Sequence, residues 1–469
     1  MIGLIVKKEF INNLQSFKFF ALFALTITLF SINAFVSSKE FNRKLTAYSK
    51  RIAKHSAYDS RAVSVDKRPN PLSFVIDGQS REQDKTLIIE HTGNIAPAGT
   101  VYRGNYLLHD FEVIDWAFII KLLFSIFAIL LTFDAICGEK EKGTLALVCS
   151  NSLPRGKIII GKYLGAILTL IVPLFAGILV NIMIINFLGK INLNLQMNAR
   201  MGFIILVGLI YLSVFVFLGL FISSATHRTP TSLLVNLGVW LILVVIVPTL
   251  AGMAGEHLSK TPTEYEFAER QEGIYQMWRN PSYGQRLLQD IVRNKRLTEV
   301  EEIQEEAIGL LVEATNEKIK LNQDMWHAVE SKENLARNLA RISPSAAFQF
   351  GGESLAFTGI AAERSFYKAA QNFATVYRDY IQEKTGVAHK FDWSIHPWQI
   401  EIRGKTSSIS APVQPKFPEG LKDFPQFSKP YPSTSDSFKH GFVNIILLAL
   451  WNLLLFFLSN LFFIRYDVR

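Results

Sequence analysis

The stretch DAICGEKEKGTLALVCSNSLPRGKIIIGK, residues 134–162, lies between two long apolar runs. Up to Phe133 the chain reads as membrane, and from Ile158 it reads as membrane again. Between them stand Glu139, Lys140, Glu141 and Lys142, then Gly143 and Thr144, an apolar patch opening at Leu145, and finally Pro154, Arg155 and Lys157. A loop that only had to reach water needs no such order. The pattern predicts a short amphipathic helix held against the membrane face, charged at one end and closed by a Pro-Arg turn at the other.

The composition agrees with a membrane setting. Of 469 residues, 49% are hydrophobic, and the mean hydropathy is +0.21. With several separate long apolar runs, that is too apolar for a soluble chain. The net charge of +9 is explained first by lysines and arginines at cytoplasmic helix ends. No basic stripe with interleaved aromatics occurs, so nucleic acid is not an expected partner. Cys137 and Cys149 flank the loop, which excludes a disulfide framework for the large inserts.

Six runs reach the ~20 residues that a bilayer requires. They cover 17–36, 113–136, 158–188, 201–224, 230–253 and 441–464. The first is read as an uncut helix, because its core is too long for a signal peptide and no A-x-A site follows. Ahead of it, in 1–16, Ile2, Ile5, Val6 and Phe10 share one helical face, with Lys7, Lys8 and Glu9 off it. Either an interfacial helix or the basic flank of a signal anchor fits. Trp116 suits an interfacial aromatic belt. Asp134, at membrane depth, calls for a partner, and Lys140 or Arg155 is the expected one. Pro173 and Pro248 interrupt two spans. Asn444, Asn452 and Asn460 recur every eight residues on roughly one face, placed to bond other helices.

Two inserts interrupt the spans. In 37–112, residues 41–57 continue a helix, and 62–65, 72–76 and 86–89 read as short strands. The larger insert, 254–440, has capping boxes at Thr261–Glu264 and Thr298–Glu301. A long one-faced helix follows from 298 to 342, stopped at Ser343-Pro344. A further helix is expected over 363–383, then a Pro-rich extended strap over 404–432. Both inserts are expected outside the membrane as a mainly helical extracytoplasmic domain. Lysine and arginine bias puts both termini and the 137–157 loop in the cytoplasm.

The order Glu139, Glu141, Gly143-Thr144-Leu145, Pro154-Arg155 and Gly161-Lys162 resembles the loop between the second and third transmembrane helices of ABC exporter permeases of the type V fold. Weaker similarity lies at Trp240 to Pro248, at Ser343-Pro344, at Leu355 and at Thr358-Gly359. The large inserts look like the branch that includes permeases of nitrous oxide reductase maturation systems. The resemblance implies an α-helical polytopic protein of the bacterial inner membrane, with six spans and an N-terminal interfacial helix. It implies that Glu139, Lys140, Glu141, Lys142, Gly143, Thr144, Leu145, Pro154 and Arg155 touch a separate cytoplasmic ATPase. That partner binds ATP and Mg, and this chain binds no cofactor. A second permease chain is implied, as homodimer or heterodimer, with lipid around it and outer domains that gate release or hold a periplasmic partner.

The absences point the same way. No G-x-x-x-x-G-K-[ST] phosphate loop occurs, so an ATPase would be another polypeptide. Neither H-E-x-x-H nor G-x-S-x-G is present, and His389 and His396, near Trp393 and Trp398, read as surface or packing histidines rather than a metal pair. Two rivals remain beside an exporter. One is a scaffold that transmits ATPase-driven motion to an outer partner. The other is a polytopic membrane enzyme with its site in 256–440, which would need convergent catalytic groups.

Overall fold

The structure is a computed structural model. It describes residues 2–55, 62–78, 86–97, 114–145, 154–188, 191, 193–258, 266, 269–270, 272–273, 281–297, 299–385, 398–402, 405–409, 425–428 and 434–465. The chain folds as an α-helical polytopic membrane protein. Among the described residues, six helices are long and apolar enough to cross a bilayer: Phe17–Ile52, Trp116–Glu141, Arg155–Leu188, Leu195–Ala225, Thr229–Leu258 and Ser435–Arg465.

An amphipathic helix α1 (Ile2–Leu14) precedes them. It packs along the third span, where Gly161 and Gly165 leave room for Ile5 and Glu9. Glu9, expected off the packed face, therefore turns inward. The first span belongs to α2 (Phe17–His55), 39 residues long. At ~1.5 Å per residue it measures about 58 Å, well beyond the ~30 Å hydrocarbon core. It thus runs past residue 36 without a break. The remaining spans are α3 (Trp116–Glu141), α4 (Arg155–Leu188), α5 (Leu195–Ala225) and α6 (Thr229–Leu258).

The core gathers around α5, where Tyr211, Leu212, Phe215 and Leu220 are fully buried. Trp116, expected at a lipid-facing belt, is instead enclosed. Its Nε1 donates to Asn181 Oδ1 at 3.1 Å, and Asn181 Nδ2 donates to Phe30 O and Asn33 Oδ1, both at 2.7 Å. A buried indole N–H requires such a partner. Asp115 caps α3 by accepting from Phe118 N at 2.7 Å, and it also accepts from Asp77 N at 3.0 Å.

The first insert adds β1 (Ala62–Asp66), β2 (Thr86–Glu90) and β3 (Ile95–Pro97), an antiparallel sheet in sequence order. Residues 72–76, expected as a strand, contain instead a 3-10 turn, Pro71–Phe74. Pro71 presets the turn, and Asn70 accepts from Leu72 N to cap it.

The second insert holds α7 (Pro281–Lys295), α8 (Val300–Ala340), α9 (Pro344–Ala356) and α10 (Ile360–Thr385). The N-cap of α8 is Glu299, with no side-chain capping bond; Thr298 and Thr261 lie outside the described residues, as do His389 and His396. Part of the expected strap pairs as a hairpin, β4 (Trp398–Ile402) with β5 (Lys405–Ile409). Thr406 and Ile409 in KTSSI are β-branched residues that favour a strand. Helix α10 covers the first sheet, burying Phe366, Phe373 and Tyr377 against Val63, Val65, Leu87 and Ile89. The last span is in α11 (Thr434–Arg465).

The C-terminal end of α8 does not stay outside the bundle. It packs on α6, where a Cβ on Gly255 would come within 2.5 Å of the Ala336 Cβ. The chain then turns, and α9 is buried among the spans. Trp451 Nε1 donates to Ile342 O at 3.2 Å, Ser345 Oγ donates to Leu243 O at 3.3 Å, and Phe348 stacks on Tyr211 at 4.8 Å. Trp451, Leu243 and Tyr211 lie near the middles of α11, α6 and α5. The α8–α9 corner is therefore a re-entrant hairpin within a segment expected to lie wholly outside. At 13 residues, α9 is too short to register as a span.

Candidate coupling site

The second span ends in a turn over residues 133–136, followed by a five-residue helical stretch, Cys137–Glu141. The first N–H groups of a helix lack internal partners. Here Ser223 Oγ, from α5, accepts from Ile136 N and Cys137 N, both at 3.0 Å. Ser232 Oγ, from α6, donates to Phe133 O at 2.7 Å. Hydroxyls on two neighbouring spans thus fix where the loop begins.

The charged run is distributed among different helices. Lys162 Nζ lies 2.8 Å from Glu139 Oε1 and 2.9 Å from Glu9 Oε1, with its side chain 5% exposed. One ammonium therefore joins the loop, α4 and α1. Lys140 Nζ donates to Ser224 O and Thr226 O, at the C-terminal end of α5. Glu141 accepts from Thr229 N and Thr229 Oγ1, at the start of α6. A cation at a helix C-terminus and an anion at an N-terminus each meet the matching end of a helix dipole. Two consecutive residues of opposite sign so straddle the α5–α6 turn.

At the other end of the loop, Arg155 Nη1 donates to Phe463 O at 2.9 Å and Ile464 O at 2.7 Å, the final carbonyls of α11. Asp134 pairs with neither Lys140 nor Arg155, both of which serve helix carbonyls. Its partner is Lys18, at 3.4 Å, which also donates to Leu130 O at 2.8 Å. The expected local tie is thus a tie to the first span.

Lys142, Gly143, Thr144 and Pro154 are exposed, and Leu145 is buried. Gly143 has φ +70°, a left-handed turn that glycine adopts without strain. The rest of the apolar patch, with Cys149, lies outside the described residues. Among the described residues, no three His, Cys, Asp or Glu side chains cluster to hold a metal.

Of the intramembrane asparagines, Asn444 Oδ1 accepts from Arg341 Nε at 3.1 Å and Asn452 Nδ2 donates to Ile210 O at 3.0 Å. Asn460 Nδ2 bonds Phe456 O within its own helix, and its Oδ1 backs onto Gly156. Sequence reasoning foresaw no tie for Lys162, Glu9, Lys18, Ser223 or Ser232, although Lys162 stood in the loop motif. Lys162 had a signal, a lone cation inside an apolar run. The serines had none.

The family described as ABC-2 family transporter protein matches residues 4–468. The chain belongs to this family. Among curated proteins, it is similar to the probable ABC transporter permease protein NosY of Pseudomonas aeruginosa, 49% identical over 43 residues. That match covers 9% of this chain and 16% of that protein. The protein of the same description from Stutzerimonas stutzeri is 44% identical over 55 residues, 12% of this chain and 20% of that protein. The chain therefore spans one fifth or less of the length of these relatives. Membership of the ABC-2 family covers both ends of the chain; the likeness to the NosY proteins is local.

Proposed function

We propose that this ABC-2 family chain is the permease subunit of an ATP-driven transporter, an exporter, driven by a separate ATPase through the loop between its second and third spans. The ATPase would bind ATP and Mg. The carrying observation is the way the loop is fastened. Glu139, Lys140, Glu141, Asp134 and Arg155 tie it to α1 and to every other span, while Lys142, Gly143, Thr144 and Pro154 face solvent. A push on the exposed tip is thereby shared across the bundle. In this reading the loop and both termini are cytoplasmic, the inserts are extracytoplasmic, and two such chains face each other in the inner membrane.

A second reading is favoured by the continuity of α2 and α8. Both run unbroken from the bundle into the insert module, so motion of the bundle would be carried outward mechanically. A scaffold that works an extracytoplasmic partner would use the same levers.

The test is co-purification with a candidate ABC ATPase from the same organism, and the ATPase rate of the complex. Lys142→Glu/Thr144→Trp alters the exposed tip; it gives up the local bond from Thr144 Oγ1 to Glu139 O at 3.4 Å and leaves the ties to other helices described above. Loss of stimulated ATP hydrolysis, with insertion unchanged, is the expected result. A rate and a recovery equal to the parent would remove the loop as the coupling element.

A further inference from the structure

Where the first sheet, α8 and α10 meet, they frame a half-open cavity of about 230 Å³. Thr92, Asn322, Gln323, Gln371, Thr375 and Arg378 bring polar groups to its wall, and Gly93, Ile95, Ile319, Tyr367 and Ala374 complete it. Lys318, Asn322 and Trp326 are spaced four apart, so one face of α8 is turned to this module. Lys318 Nζ meets both Glu90 carboxylate oxygens, at 2.9 and 3.0 Å. Asn322 Nδ2 donates to Asn94 Oδ1 at 2.8 Å. Trp326 stacks on Tyr367 with centroids 4.1 Å apart. These ties hold the three walls in fixed relation before any ligand arrives, which limits the ordering cost of binding.

The charge of the lining is one-sided. Arg378 is its cation, and no acid lines the cavity among the described residues. Asp379 approaches the guanidinium at a long 3.5 Å, and both side chains are well exposed, so the pair is weak. A planar guanidinium matches a carboxylate through two parallel hydrogen bonds. The side-chain amides of Asn322, Gln323 and Gln371 add donors and acceptors for amide or hydroxyl groups. One cation balances one negative charge, whereas a phosphate dianion would call for more. The volume lies below the usual ~300–1,000 Å³ of ligand pockets, which restricts the guest to a small molecule or the tip of a chain.

We infer that this cavity binds a small organic carboxylate, with its acid group on Arg378 and its polar body on Asn322, Gln323 and Gln371. The same chemistry comes from two sources, a free acid or the C-terminal carboxylate of a peptide.

Full-length protein in lipid nanodiscs is titrated calorimetrically with acetyl-trialanine as the free acid, with its C-terminal amide, and with glutaramate, which carries one carboxylate and one amide. Support is saturable binding of an acid, about tenfold or more tighter than the amide and weakened about tenfold by Arg378→Gln. The peptide acid alone binding assigns chain ends, and glutaramate alone binding assigns free acids; both binding keeps the carboxylate as the determinant. If Arg378→Gln melts below the parent, the acid is compared with the amide on unmodified protein, and glutaramate with the diamide. The inference is overturned if acid and amide bind alike, if folded Arg378→Gln binds as the parent does, or if no probe saturates by about 10 mM.

Discussion

Lys162 Nζ stands 2.8 Å from Glu139 and 2.9 Å from Glu9, so the N-terminal helix and the loop after the second span share one buried ammonium. Neither carboxylate is near the other in sequence. Helix α1 therefore docks by charge as well as by its apolar face, and a displacement of the loop is felt by α1 directly.

Removing that ammonium leaves two acids facing one another in a largely buried site. Breaking one partner of a buried ion pair costs about 3–5 kcal/mol, while replacing the whole group by neutral side chains is often near neutral. Lys162→Met is expected to lower the thermal midpoint of solubilised protein sharply. Adding Glu9→Gln and Glu139→Gln to it should recover most of the loss. A triple variant no more stable than Lys162→Met would show that the carboxylates do not carry the cost.

Orientation is testable by labelling in a cysteine-free background. Lys320 and Asp379 are exposed in the insert module, and Lys142 is exposed at the loop tip. Cysteines at the first two positions should react with an impermeant maleimide in intact cells, and one at Lys142 only after permeabilisation. The reverse pattern would invert the topology, and labelling of all three from outside would break the alternation of six spans.

The spans were legible because each exceeds bilayer length with few charges, and their order placed the loop correctly between the second and third. The α8–α9 hairpin was not legible. Its descending arm is a charged amphipathic helix, and its returning arm holds Gly351, Gly352 and Glu353, which lower apolarity where the arm is most buried. In the loop, the pattern of charge singled out residues that the structure ties to other helices, but it carried no sign of those ties. Glu139, Lys140 and Arg155 face inward because helix ends and Lys162 are nearer than solvent. That depends on how spans distant in sequence pack, which no local pattern carries.

Asp115 gives a pH signature on the insert face. Burial is the main cause that lifts its carboxyl from 3.8 to about 6, opposed by hydrogen bonds from Asp77 N and Phe118 N. Asp77 and Lys121 are the charged groups that act on it. The folded value lies above the unfolded one, so the fold favours the protonated acid. Its stabilisation is full below pH 3.8, falls as pH rises and is gone above about 6. The full span is about 3 kcal/mol at most. Asp115→Asn should remove this slope, so the stability difference between parent and variant should change between pH 4 and about 6.5 and level off above. Parallel pH profiles would contradict it.

Pro248 and the two serines at the start of α9 make the last prediction. Proline has no N–H and its ring crowds the carbonyl four residues back, which here is Val244 O. Helix α6 widens into a π turn over Ile242–Ile246 just before it. Ser345 Oγ donates to Leu243 O at 3.3 Å and to Val244 O at 3.4 Å, and Ser343 Oγ also donates to Leu243 O. The re-entrant hairpin thus supplies donors that a span cannot draw from lipid. Ser343→Ala/Ser345→Ala leaves these carbonyls short of partners at a cost of about 1–3 kcal/mol. The α9 hairpin should loosen, seen as faster hydrogen exchange over 344–356. Pro248→Ala supplies the missing N–H and lets α6 regain a regular helix, so it should rescue the double variant in part while doing little by itself. Exchange unchanged in the double variant would mean that the apolar packing of Phe348 on Tyr211 holds the hairpin alone. Rescue failing with exchange raised would place the serines' contribution in capping α9, where Ser343 Oγ also accepts from Ser345 N at 3.1 Å.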